Sequence, residues 1–207
     1  MSQASDHDVD ARPGKAELIL NAAKRLFIEH GFGATSMDAI AAEAGVSKVT
    51  VYAHYNNKQA LFAATTRREC RRVTTRMAIA CEVDELPLDR ALARIAASFI
   101  DAVFAPESLA LLRMVLADVS RFPELGAIFY DSAPGLTLAS VADYFERMRE
   151  LGLIEAHDCE LAAAQFLGTL RGDLHLRALL GQSVSADRLE AMAAEAVQTF
   201  VARYARR

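Results

Sequence analysis

Residues 35–58 read TSMDAIAAEAGVSKVTVYAHYNNK, and this stretch decides the fold. Met37, Ile40, Ala41 and Ala44 recur at three- and four-residue spacing, which gives a short helix one apolar face. Thr35 stands three residues before Asp38, a start like a capping box, in which a hydroxyl accepts an orphan N–H of the first turn. Gly45 can take positive φ with no Cβ penalty and is expected to end that helix. Val46 then fills the corner and Ser47 caps a second helix, the recognition helix, at about residues 47–52. The segment Lys48-Val49-Thr50-Val51-Tyr52-Ala53-His54-Tyr55 interleaves an ammonium, a hydroxyl, phenols and an imidazole with small apolar groups. Such donors suit phosphates and base edges in a DNA major groove. Two short helices around a glycine turn also occur in proteins that never touch DNA, so the order of residues must carry the assignment.

Upstream, Leu18, Ile19, Ala22, Ala23, Leu26 and Phe27 predict an amphipathic helix over residues 15–30, ended by Gly31. Downstream, Asn56 and Asn57 make a turn and Lys58 opens a long helix to about residue 81. Ala22-Ala23, Leu26-Phe27, Gly31-Phe32, Thr35-Ser36, Ile40-Ala41, Ala44-Gly45-Val46-Ser47, Thr50, Tyr52, His54-Tyr55, Lys58 and Leu61-Phe62 together resemble the DNA-binding domain of the TetR family of bacterial transcription regulators. The resemblance runs over about residues 15–62. It departs at Tyr55, where phenylalanine is usual, and at Val49, where glycine is frequent. The expected DNA contacts are Thr35, Ser36, Ser47, Lys48, Thr50, Val51, Tyr52, His54 and Lys58. Of these, Thr50, Val51 and Tyr52 are assigned to base edges. Lys58 resembles the family's phosphate-contacting lysine.

Charge distribution agrees with that reading although net charge does not. The chain of 207 residues carries −4, but residues 12–76 are net basic and residues 77–207 net acidic. A basic module joined to an acidic partner domain fits a DNA-binding head on a body that does not bind DNA. Apolar content of 53% supports a large core. Residues 1–13 are expected to form a disordered tail. No apolar leader and no uninterrupted membrane-length stretch is visible, so no membrane partner is expected. Three cysteines, Cys70, Cys81 and Cys159, suit a reducing cytoplasm better than a disulfide framework. Cys70 lies among arginines that would favour a redox-active thiolate, with an idle buried thiol as the plainer alternative.

The rest of the chain reads as helices, for an all-α protein of about nine or ten. Residues 14–62 form the helix-turn-helix domain and 63–207 a helical domain for effector binding and dimerisation. Pro134-Gly135 makes the segment 123–151 either one bent helix or two. Arg121-Phe122-Pro123-Glu124-Leu125, Phe129-Tyr130, Gln165-Phe166-Leu167-Gly168 and Leu170-Arg171-Gly172-Asp173 resemble the AefR-type C-terminal domain of TetR-family regulators. That resemblance implies an effector pocket and a dimer. The candidate effector contacts are Phe99, Met114, Phe122, Phe129, Tyr130, Phe145, Phe166 and Arg171, with Asp173 and His175 as further polar candidates. Large apolar side chains on helices form a core more often than a pocket. Gly168 and Gly172, four apart on one face, should let another helix approach closely, and the last two helices of each subunit would make a four-helix interface. A two-fold homodimer would then match a palindromic operator.

Enzyme signatures are missing: no phosphate-binding loop, dinucleotide fingerprint, nucleophile elbow or zinc-protease motif occurs. The histidines, His7, His30, His54, His157 and His175, are scattered without metal-ligand spacing, so neither metal nor cofactor is expected. The expected function is that of a regulator, a repressor released from double-stranded DNA by an unidentified small molecule. An architectural DNA-binding protein without effector control is the alternative.

Overall fold

The computed structural model describes residues 14–82 and 86–206. The predicted tail lies outside the described residues. Ten helices occur in the described chain: α1 (Lys15–Ala34), α2 (Met37–Glu43), α3 (Lys48–His54), α4 (Lys58–Ala80), α5 (Leu88–Val103), α6 (Pro106–Asp118), α7 (Glu124–Ser132), α8 (Pro134–Glu150), α9 (Cys159–Leu179) and α10 (Ala186–Tyr204). The all-α expectation holds.

Local chemistry sets the boundaries. Gly31 breaks α1 at φ 80°, where the predicted helix ends, and one more turn follows. Asp118 Oδ2 would lie 3.0 Å from a Cβ at this position, so both backbone and space require glycine. Gly45 takes φ 64° beyond α2, as its place in the turn demands. The cap of α2 differs from expectation. Ser36, not Thr35, accepts the N–H of Ala39, at 3.0 Å. The Thr35 hydroxyl is buried and donates back to the carbonyls of Gly31 and Leu26, at 2.7 and 3.1 Å. Ser47 caps α3 by accepting from Thr50 N–H, and Asn57 caps α4 through Ala60 N–H. Pro134 starts a new helix, so the segment around it is two helices, α7 and α8.

Two apolar cores build the molecule. One joins α5, α8, α9 and α10 through Leu92, Ile95, Phe145, Phe166 and Phe200. The other holds the helix-turn-helix through Ile19, Phe27, Phe32, Ile40, Val51 and Phe62, and continues into Leu111, Met114 and Val115 of α6 and Leu125 of α7. The head is therefore packed on the body, not tethered to it. The boundary expected at residue 62 falls inside α4, which runs unbroken from head to body. No single helix among the described residues is long and apolar enough to cross a membrane. The apolar pair α5 and α6 bends by 60° and buries its apolar faces in these cores.

One break was not foreseen. Gly172 interrupts α9 at φ 46° and ψ −155°. A Cβ there would meet Met192 Sδ of α10 at 3.3 Å, whereas one on Gly168 would meet nothing within 4 Å. The two glycines thus do not share one open face, as the four-residue spacing suggested. Gly172 accommodates α10 of its own chain, and Gly168 faces outward.

Candidate DNA-binding surface and effector cavity

The second helix of the helix-turn-helix exposes Lys48, Val49, Tyr52 and His54, while Thr50 is half-buried. Val49 is 78% exposed and Val51 0%, a difference that decides which valine can reach DNA. Val51 therefore leaves the set of candidate contacts: it is a core residue, and Val49 takes its place on the open face. Val51 stands four residues before half-buried Tyr55, a helical spacing that places both toward the core. Lys48 forms an ion pair with Asp38 at 2.8 Å, which raises its pKa, and lies over the Tyr52 ring at 5.9 Å from its centre. Ser47 and Thr50 hydroxyls hydrogen-bond at 2.8 Å across the start of α3. Ser36 and Ser47 are both exposed caps at helix starts. Thr35 is buried and already bonded to two carbonyls, so it too leaves the contact set.

Lys58 departs most from its expected role. Its ammonium donates to the carbonyls of Phe32, Gly33 and Thr35 at 2.7, 3.2 and 2.9 Å. An ammonium has three N–H donors, and all three are engaged within the chain. It also sits 4.5 Å from the centre of the Phe32 ring. Burial lowers its pKa and Asp118 opposes that shift. Lys58 is the clasp that closes the end of α1 onto the start of α4. It is not a free phosphate ligand.

The other side of that clasp belongs to α6. Asp118, at its C-terminal end, accepts from the N–H groups of Phe32 and Gly33 at 2.6 and 3.2 Å. Phe122 packs edge-on against Phe32 with ring centres 5.0 Å apart. Farther back on α6, Arg113 donates to the carbonyls of Leu179 and Ala178 at the end of α9, at 2.7 and 2.6 Å. A single helix thus touches the reading head at its C-terminal end and the end of α9 from its middle.

Between them lies a cavity of about 420 Å³, within the range of small-molecule sites. Of the candidate effector contacts, Phe99, Met114, Phe129, Tyr130 and Arg171 line it. Phe122, Phe145 and Phe166 do not. Phe122 belongs to the junction just described, and Phe145 and Phe166 stack with Phe200 in the core, at 4.5 and 5.5 Å between centres. Asp173 also stays out, paired with Arg177 on its own helix. His175 lines the cavity edge-on to Phe104. Burial, and then the nearby Arg171, lower its pKa against a hydrogen bond to the Val103 backbone.

Sequence reasoning missed the wall that α4 provides: Phe62, Thr65, Thr66, Glu69, Cys70 and Val73. Their three- and four-residue spacing was a usable signal, obscured by the arginines that alternate with them. Arg68 and Lys24 both pair with Glu69, at 2.8 and 2.6 Å. Cys70 is buried, and burial with the neighbouring Glu69 pushes its pKa up to about 11. It is a protonated thiol at neutral pH, so the arginine-activated thiolate is set aside.

The sequence profile described as "AefR-like transcriptional repressor, C-terminal domain" matches residues 90–206, and "Bacterial regulatory proteins, tetR family" matches residues 19–65. A crystal structure from Mesorhizobium loti MAFF303099, titled as a TetR-family transcriptional regulator, is 31% identical and covers 93% of this chain and 97% of that one, with a TM-score of 0.84. The structure of the flavonoid-responsive regulator FrrA is 33% identical over 93% of this chain and 98% of its own, with a TM-score of 0.79. Among curated proteins, the transcriptional regulator UidR of Escherichia coli K12 is 37% identical over 67 residues, 32% of this chain and 34% of UidR. The transcriptional activator FasR of Mycolicibacterium smegmatis is 41% identical over 59 residues, 28% of this chain and 26% of FasR. The chain thus spans about a third or less of these curated relatives.

Proposed function

The chain belongs to the TetR family of bacterial transcriptional regulators, with an AefR-like C-terminal domain, and from that premise we propose that it is a repressor released from its operator by a small molecule. Its fold and relatives are those of DNA-binding regulators, not of enzymes. The observation that carries the ligand-release reading is the position of α6. This helix lines the cavity with Leu111 and Met114, and its Asp118 holds the segment of α1 that leads into the helix-turn-helix. A ligand that shifts α6 shifts the head. FrrA is described as flavonoid-responsive, which is further support for small-molecule control here. An architectural role needs no such cavity.

A homodimer supplies the second head. Leu161, Leu176 and Leu180 on or just beyond α9 are 55%, 55% and 69% exposed, and Gly168 lies open between the first two. An apolar strip of this kind on a helix with a buried opposite face is suited to a second copy. Two recognition helices about 34–36 Å apart then enter successive major grooves of a palindromic operator. A DNA-bound role places the protein in the cytoplasm with the chromosome.

The ligand needs only to prefer the released shape, since equal affinity for both shapes would shift nothing. A coupling of ~1–3 kcal/mol weakens operator binding about 5- to 150-fold, and by reciprocity the operator weakens ligand binding by the same factor. Genome-wide mapping of binding sites provides the operator and points to candidate compounds through the neighbouring genes. Calorimetry then measures compound affinity with and without operator. Equal affinities would refute ligand release and return the architectural alternative.

A further inference from the structure

The charges around the cavity are unequally satisfied. Lys24 and Glu69 neutralise one another at 2.6 Å, and Glu107 is exposed in the first turn of α6. Arg171 is only partly exposed, and its guanidinium lies over the Phe99 ring at 5.3 Å from the centre. Among the described residues no carboxylate pairs with it, and the polar group that acts on it is Tyr130, across the same cavity. A second group is also unspent. Thr66 lines the cavity at 0% exposure, and its hydroxyl has no hydrogen-bond partner among the described residues. Its neighbour Thr65 donates to the Leu61 carbonyl at 2.8 Å, so the lack of a partner is particular to Thr66.

A half-buried cation without a counter-ion and a buried hydroxyl without a partner each cost stability in the empty protein. Both costs are recovered by one kind of occupant. We propose that the cavity takes an organic acid, with an apolar body against Phe99, Met114 and Phe129, its anionic group on Arg171, and a further polar atom at Thr66. The planar guanidinium presents paired N–H donors that match a carboxylate or a comparable oxyanion. The face of Phe99 holds the guanidinium while leaving its edges for the acid. At the packing density of protein interiors the cavity encloses a body of roughly 300 Å³. This inference rests on the cavity being the effector site.

Two fluorescent dyes separate that premise from the acid anchor. 8-Anilinonaphthalene-1-sulfonate and N-phenyl-1-naphthylamine share an aromatic body, and only the first carries an anion. Both are titrated into the full-length protein, its Arg171→Met variant and its Leu112→Trp variant, in which a bulkier side chain fills the cavity from its half-buried edge. Arg171→Met is expected to weaken the sulfonate dye roughly 10- to 100-fold and to leave the uncharged dye within about twofold. Leu112→Trp weakens both dyes, and Arg171→Lys restores part of the sulfonate affinity. If Leu112→Trp weakens both but Arg171→Met weakens neither, the acid anchor is wrong and the effector cavity stands. If Arg171→Met weakens both alike, Arg171 supports the wall without binding an anion, and the proposal fails. If Leu112→Trp weakens neither, the dyes bind elsewhere, and both the acid anchor and the effector cavity are refuted.

Discussion

Replacing Lys58 with methionine separates two roles that the sequence alone would merge. Methionine keeps the length and apolar stem of the side chain and removes its charge and donors. Three hydrogen bonds disappear, to Phe32, Gly33 and Thr35, together with the contact to the Phe32 ring. A hydrogen bond from a charged donor contributes about 1.5–3 kcal/mol in isolation, but three that share one partly exposed ammonium are not additive. Solvent also reaches the freed carbonyls in part. The expected loss is therefore about 2 kcal/mol, or a Tm lower by about 4–8 °C for a chain of this size. In urea the midpoint should fall with little change in slope, since the surface exposed on unfolding is unaltered. The matching DNA assay is non-specific binding against salt concentration. A phosphate-contacting lysine would lower the salt slope by about one unit on removal, whereas a clasp leaves it unchanged. Unaltered stability with a slope reduced by one unit would refute the clasp and return Lys58 to the DNA backbone.

The two valines of the recognition helix should diverge. Val51→Ala removes buried methyl groups and is expected to cost about 1.5–2.5 kcal/mol of stability without changing base preference, measured by denaturation and by a panel of operator variants. Val49→Ala should leave stability within about 0.5 kcal/mol and alter preference at one operator position. Gly168→Leu adds its bulk where nothing in the same chain lies within 4 Å, so the monomer should fold normally while sedimentation shows more monomer and operator affinity collapses. An unchanged dimer would place Gly168 outside the seam. His175 gives a pH dependence. Its folded pKa lies below the ordinary 6.5, so the unfolded chain binds the proton first. The His175 contribution is present above about pH 6.5 and is lost as pH falls through the folded pKa, and His175→Gln should flatten that part of the stability profile.

How far the sequence could be read depended on what each residue answers to. Helix starts and ends were legible because they obey neighbours within a few residues. Pro134 cannot continue a helix, Gly31 and Gly45 take positive φ, and Ser47 can cap only the residues just ahead of it. Even there a local rule could choose the wrong hydroxyl. Thr35 and Ser36 are adjacent, and the burial of Thr35 beneath α1 settled which of them caps α2. Phe99, Met114, Phe129, Tyr130 and Arg171 line the cavity, but Phe145 and Phe166 have the same chemistry and stand in the core.

By itself the sequence determined an all-helical chain with a basic reading head, because periodicity, caps, turn residues and charge are all written locally along the backbone. Only the tertiary structure decided which side chains remain free to act. Lys58 is spent on three carbonyls more than twenty residues away in sequence, Asp118 reaches across to α1, and among the described residues Arg171 has no carboxylate and the Thr66 hydroxyl no hydrogen-bond partner at the cavity. The physical reason is that a polar group's role is set by its competing partners, and those partners come from helices that chain order does not place side by side.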